Sequence, residues 1–256
     1  MPSPSAHIYW FVFYEDLILL DQDHNIPCAA LAPCVLTMQD VCIPVADYQQ
    51  TPCRAISLAE CRTPQGYEFV SLRSSFELLP RALYALAGKA RELLYWDANN
   101  QYCGKCGSPL AFHTPISKHC PNCGRTVWPQ LSIAIIVAVT RGPEILLVQS
   151  NQFKSDYMGL VAGFVETGET LEECVHREVM EETHVQIRNL RYFQSQPWPY
   201  PCGLMVGFKA EYASGELQLQ RSELNKGGWF RPDNLPQIPG KVSLARRLID
   251  DWLSHQ

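Results

Sequence analysis

The first 53 residues contain no lysine or arginine. A secretory signal opens on a positively charged stretch, so that reading is excluded by expectation. Long hydrophobic runs are missing too: "IYWFVFY" (8–14) and "LSIAIIVAV" (131–139) fall well short of the roughly 20 residues a bilayer-spanning helix needs. A soluble, cytoplasmic protein without a membrane partner is expected. Charged residues make up only 18% of the chain and the formal net charge is −5, so the molecule as a whole repels nucleic acid, DNA included, and anionic membranes. A phosphate-bearing ligand must then be met by metal ions or by local arginines. No low-complexity tract and no internal repeat is visible, which sets aside disordered and solenoid classes.

What is present is an ordinary globular composition, 46% hydrophobic over 256 residues, enough for two or more domains. Residues 1–78 alternate short β-favouring runs with Pro, Asn and Asp, and "PRALYALAGKARELLYWDANN" (80–100) has helical spacing. The expected division is a β-rich domain with its connecting helix over 1–98, a cysteine-rich segment over 99–128, and a third part over 129–256. Within the third part, strands are expected at 131–140 and 145–150 and near 187–196, 204–212 and 216–220. A helix is expected after a glycine-containing loop, and a last one near 242–253. That order gives an α/β or α+β class.

Eleven cysteines form an odd set in a chain with no sign of export, which favours reduced thiols over disulfides. Four of them, Cys103, Cys106, Cys120 and Cys123, make two C-x2-C pairs, "CGKC" and "CPNC". Each pair sets two thiolates on one turn, and together they supply the tetrahedral sulfur corners that zinc accepts. Four ligands leave no open position, so a zinc ion here is structural. The other seven, Cys174 and Cys202 among them, are expected to be small buried hydrophobes.

The strongest pattern is "GFVETGETLEECVHREVMEETHV", Gly163 to Val185. Thr170 with Glu173 three residues on makes a capping box, which predicts a helix start there and leaves Glu169 in the preceding loop. At 100° per residue, Leu171, Val175, Glu178 and Glu182 fall within about one 60° sector, with Glu181 beside it. Carboxylates therefore share the apolar side, where like charges at i,i+4 destabilise unless something positive sits among them. Hard divalent ions with oxygen ligands meet that need, and Arg177 can hold a neighbouring carboxylate in place.

That run resembles the Nudix signature G-x5-E-x7-R-E-U-x-E-E-x-G-U, matched by Gly163, Glu169, Arg177, Glu178, Val179, Glu181, Glu182 and Val185, with His184 in place of the final glycine. "SQPWPYPCGLM" (195–205) is similar to the SQPWPFPxS motif of the NADH pyrophosphatases, now regarded as NAD-capped RNA hydrolases. A zinc segment and a β-rich domain ahead of the Nudix domain are also that family's layout. The resemblance implies an α/β/α Nudix sandwich with a mixed sheet, preceded by a zinc ribbon. It implies an enzyme that splits the pyrophosphate of NAD(H) and of the NAD cap on RNA, giving nicotinamide mononucleotide and AMP or a 5′-monophosphate RNA.

Carried over by residue, the resemblance implies that Glu178, Glu182, Glu223 and the main-chain carbonyl of Ala162 hold catalytic Mg²⁺ or Mn²⁺, with Glu181 completing the catalytic carboxylates. Trp128 and Phe164 would clasp the nicotinamide ring. Gln196, Pro197, Trp198, Pro199, Tyr200, Pro201, Cys202 and Gly203 would form the substrate loop, with further contacts from Arg73 and the Ala245 main chain. A homodimer is implied. Four departures stand out: His184 for glycine, Trp128 where tyrosine is frequent, Gly203 where serine is usual, and no lysine in the first 53 residues to match the family's amino-terminal substrate contact. Lys226, close to Glu223, has no account from sequence. Two rivals stay open, a Nudix hydrolase of ADP-ribose or dinucleoside polyphosphates and a non-catalytic zinc-ribbon nucleic-acid binder.

Overall fold

The computed structural model describes residues 7–151 and 156–255. Residues 152–155, part of the loop expected after "ILLVQS", lie outside them. "IYWFVFY" becomes β1 (Ile8–Tyr14), with Phe11 and Phe13 facing one apolar layer and Trp10 and Val12 the other. Both faces are covered, which is why the strand reads as an unbroken apolar run. β1 pairs antiparallel with β2 (Leu17–Asp21) and β3 (Cys28–Ala29) and parallel with β5 (Thr51–Ser57). Adding β4 (Val41–Tyr48) and β6 (Tyr67–Ser71) gives the order β4-β5-β1-β2-β6, with β3 attached to β1. α1 (Arg81–Asn99) buries Leu83, Ala87, Ala90 and Leu94 against one face of this sheet, as its spacing predicts. The cysteine segment carries a three-stranded sheet, β7 (Ala111–Thr114), β8 (Ser117–His119) and β9 (Thr126–Val127).

The second large sheet has the order β13-β14-β10-β11-β15, with β12 attached to β10. Its strands are β10 (Ser132–Arg141), β11 (Glu144–Ser150), β12 (Val161–Phe164), β13 (Gln186–Trp198), β14 (Gly203–Ser214) and β15 (Leu224–Phe230). α2 (Leu171–Thr183) packs Val175 and Val179 on one face with Ile135 and Val137. α3 (Leu244–Leu253) packs Leu248 and Ile249 on the other with Ile136 and Ala138. The result is an α/β/α sandwich on a mixed sheet.

The two large sheets share one pairing scheme. β10 pairs antiparallel with β11 and β12 and parallel with β14, as β1 does with β2, β3 and β5. The chain thus contains a structural repeat that the sequence hides, correcting the expectation of none. Pairing topology is carried by backbone hydrogen bonds, which many apolar sequences can make. The first copy lacks a helix between β3 and β4, where the second places its carboxylate helix.

Contacts divide the chain into two compact units, Met1–Gln130 with Pro199–Cys202, and Leu131–Trp198 with Gly203–Gln256. Two local expectations change. Residues 216–220 are not a strand; Gln218 and Gln220 donate their amides to the carbonyls of Thr183 and Glu182, at 3.0 and 2.9 Å. They satisfy the free carbonyls at the end of α2 instead of joining the sheet. The strand is β15, whose Gly227 and Gly228 lower its β-propensity in sequence. Of the seven remaining cysteines only Cys53 and Cys174 are buried, while Cys28, Cys42 and Cys61 are exposed on strand edges and loops.

Candidate active site and metal centre

The two cysteine pairs sit on near-identical turns. Cys103 accepts from the amide of Gly107 and donates its own to Ser108; Cys120 does the same with Gly124 and Arg125. Gly107 and Gly124 both have φ of +74°, the left-handed conformation that closes each knuckle. All four sulfurs lie within 4.8 Å of one another, with Cys103 to Cys123 at 3.6 Å and Cys106 to Cys120 at 3.5 Å. The Cys106 thiol is lowered to about 6, first by hydrogen bonds with Ser108 and then by Cys120. The Cys103 thiol is lowered as well, while burial and then the neighbouring thiols push Cys123 up to about 11; four clustered sulfurs of this kind fit a thiolate-loving divalent ion. Among the described residues, this is the one group of three or more potential ligands that converges on a point.

A buried ion pair fixes the ribbon to the end of α1. Lys118 on β8 is 2% exposed, and its ammonium lies 2.6 Å from Asp97 and donates to the carbonyl of Asn100 at 2.8 Å. The ammonium also lies over the rings of Phe112 and Trp96, at 5.1 and 5.6 Å. Sequence reasoning missed this pair, because Lys118 reads as one more surface charge until its partner's position is known.

α2 forms as its local sequence dictates. Thr170 Oγ1 accepts from the Glu173 amide at 3.2 Å, and the Glu173 carboxylate accepts from the Thr170 amide at 2.8 Å. His184 ends the helix in the left-handed region, φ 57° and ψ 19°, where the family pattern has glycine. Its ring nitrogen reaches the Gln218 carbonyl at 3.1 Å, a contact glycine could not make. The left-handed cost for a non-glycine residue, about 1 kcal/mol, is thus partly offset.

Arg177 organises the carboxylates. It grips Glu169 with two donors, at 2.7 and 3.0 Å, and reaches Glu178 at 2.9 Å, Glu181 at 3.0 Å and the Phe164 carbonyl at 3.0 Å. That grip holds the Glu169 carboxyl down to about 2. The expectation that Arg177 steadies a neighbouring carboxylate is met, and Glu169 turns out to be its firmest partner. Gly163 is needed for close approach: a Cβ there would stand 1.9 Å from the Glu178 carboxyl carbon.

Glu178 and Glu182 are both buried. Glu178 is raised, mainly by burial, with Arg177 opposing. Glu182 is pushed up to about 8, first by burial and then by the charges of Glu178, Glu223 and Glu181. Among the described residues its carboxylate has no ion-pair partner. Such a set of mutually repelling carboxylates, two of them buried, fits a hard divalent cation. Glu223 is exposed at the turn before β15, and its carbonyl accepts from the Asn151 amide at 2.7 Å. Lys226 lies exposed on β15, opposite Gln149 and in no ion pair among the described residues. Ala162 stands on β12 opposite Ile136.

Trp128 and Phe164 are 58% and 66% exposed, so neither is core. Gln196 is buried and donates to the Val242 carbonyl at 2.7 Å, just before α3. Gly203 leaves no room for serine without adjustment, because a Cβ would sit 3.1 Å from the Trp198 carbonyl. Ala245 lies in the first turn of α3, whose amides lack intrahelical acceptors. Arg73 and Tyr200 meet each other, the guanidinium 4.9 Å from the ring centre.

Comparison with known proteins agrees with this geometry. A NUDIX domain family model matches residues 128–252, and a model for the NADH pyrophosphatase-like rudimentary NUDIX domain matches 8–96, the first copy of the repeat. A crystal structure of a NUDIX hydrolase from Nitrosomonas europaea superposes with TM-score 0.52 at 18% identity, over 61% of this chain and 92% of that one, a likeness of fold. Fold and glutamate helix together define a Nudix hydrolase. The chain is 39% identical to the NAD-capped RNA hydrolase NudC of Chromobacterium violaceum over 97% of its own length and 92% of that protein. It is 48% identical to the protein of the same name from Pectobacterium carotovorum, over 66% of this chain and 65% of that protein. The Deinococcus radiodurans protein is 42% identical over 75% and 70%. The chain belongs to this family of NAD-capped RNA hydrolases.

Proposed function

We propose that the protein hydrolyses the pyrophosphate bond of NAD(H) and of the NAD cap on RNA, releasing nicotinamide mononucleotide and AMP or a 5′-monophosphate RNA. The observation that carries this reading is the flank of α2, where burial first, and then the charges of Glu178, Glu223 and Glu181, push the Glu182 carboxyl up. Glu178, Glu182 and Glu223 with the Ala162 carbonyl would hold Mg²⁺ or Mn²⁺, which would neutralise the diphosphate and acidify a bound water. Glu181, half exposed beside them, accepts a proton from the attacking water. Arg177 and Gly163 keep Glu178 in place. The exposed rings of Trp128 and Phe164 offer flat faces to nicotinamide. The loop 196–203 and the first-turn amides of α3 at Ala245 orient the substrate.

Zn²⁺ in the four-cysteine site is structural, one per chain. The working form is a homodimer, as the likeness to the family implies, and it works in the cytoplasm. The test is incubation with NAD-capped RNA, NADH, ADP-ribose and diadenosine polyphosphates, each with Mg²⁺ or Mn²⁺, followed by product identification. Release of nicotinamide mononucleotide from the first two is the expected result. Faster turnover of ADP-ribose or a diadenosine polyphosphate transfers the assignment to another Nudix specificity, and no turnover of any of them leaves the nucleic-acid-binding alternative.

A further inference from the structure

The tip of the β13–β14 hairpin, Pro199–Cys202, belongs to the first compact unit, and the contacts that place it there are specific. The Tyr200 hydroxyl lies 2.8 Å from the Tyr84 hydroxyl on α1. The Arg73 guanidinium covers the Tyr200 ring at 4.9 Å, and Phe76 fixes the Tyr84 ring edge-on, with centroids 5.2 Å apart. Pro199 rests on Gly88, where a Cβ would come 3.1 Å from Pro199 Cγ. Gly88 lies in the interior of a 19-residue helix, where glycine costs about 1 kcal/mol relative to alanine. The close approach of Pro199 gives that glycine a reason.

We propose that Tyr84 and Gly88 are positioning residues for the substrate loop, and that Tyr200 is the loop's anchor. The inference rests on the reading of 196–203 as that loop. The two half-buried phenols hydrogen-bond each other, which ties the loop tip to α1. Arg73, expected from sequence to touch substrate, acts through Tyr200 by covering its ring. These contacts hold the loop tip, Pro199–Cys202, on α1.

The test uses the full-length protein and the variants Tyr84→Phe, Tyr200→Phe, their double, and Gly88→Ala. Amide hydrogen exchange of residues 196–203 is followed without substrate, and KM and kcat are measured for NADH. Loss of one neutral hydrogen bond predicts exchange about fivefold faster in the loop and KM raised roughly three- to tenfold, with kcat within about twofold. The double variant should be no worse than either single one. Gly88→Ala should raise KM although alanine favours the helix. Unchanged exchange in Tyr84→Phe and Gly88→Ala, or additive losses in the double variant, overturns the seat. Faster exchange with unchanged KM for NADH, or with a wild type that does not hydrolyse NADH, leaves a structural clamp and overturns the positioning role. The wild-type result alone decides the loop's substrate reading.

Discussion

Replacing Glu182 with glutamine removes one ionisable group at nearly constant shape, and its effect should reverse with metal. In the folded protein the Glu182 carboxyl is pushed up to about 8, against 4.5 ordinarily. A raised carboxyl contributes stability that is fully present below the unfolded value and is lost as pH rises through the folded one. Without Mg²⁺ or Mn²⁺ the cost of ionising Glu182 therefore grows from about pH 4.5 to pH 8. At about 1.36 kcal/mol per pH unit the ceiling is near 5 kcal/mol; an effective dielectric near 20 reduces it to about 1–2 kcal/mol. For a domain of this size, Glu182→Gln should melt about 3–8 °C above wild type at pH 8.5 in buffer free of Mg²⁺ and Mn²⁺, with zinc left in place. At pH 5 the two should melt together. With millimolar Mg²⁺ the wild type gains and the variant does not, while NADH hydrolysis by the variant falls at least about a hundredfold. Calorimetry at the two pH values and a product assay check this. A variant less stable than wild type at pH 8.5 without metal, or one that keeps full activity, refutes the argument.

Purified protein should hold one equivalent of zinc by elemental analysis, and Cys120→Ser should lose it and bring the ribbon's amides into rapid hydrogen exchange, since structural zinc supplies most of such a segment's folding energy. Lys118→Met should cost about 3–5 kcal/mol in urea denaturation by stranding Asp97, and adding Asp97→Leu should recover much of it. Gly163→Ala should cut hydrolysis by more than tenfold with little change in zinc content, because the new methyl occupies the space of the Glu178 carboxyl. His184→Gly should change stability by less than about 1 kcal/mol in thermal melts, since relief of the left-handed cost is set against loss of the Gln218 contact.

Much of the candidate site was legible because its determinants are local. The capping box at Thr170, the left-handed stop at His184 and the carboxylate stripe of α2 each depend on residues within a turn or two. The two cysteine knuckles likewise close on themselves through Gly107 and Gly124. Strand identity was less legible near 216–230. There the chain chose between satisfying the last carbonyls of α2 and extending the sheet, and sequence alone gives no means of weighing those partners.

By itself, then, the sequence determined which glutamates share the apolar flank of α2, which four sulfurs come together and where α2 starts and stops, since hydrogen bonds and spacings over a few residues decide those features. Tertiary structure alone decided that the first six strands repeat the pairing of the last six, that Lys118 is a buried partner of Asp97, and that Tyr200 sits against Tyr84. Those outcomes depend on which distant backbones and side chains exclude water together, and separation along the chain carries no record of that choice.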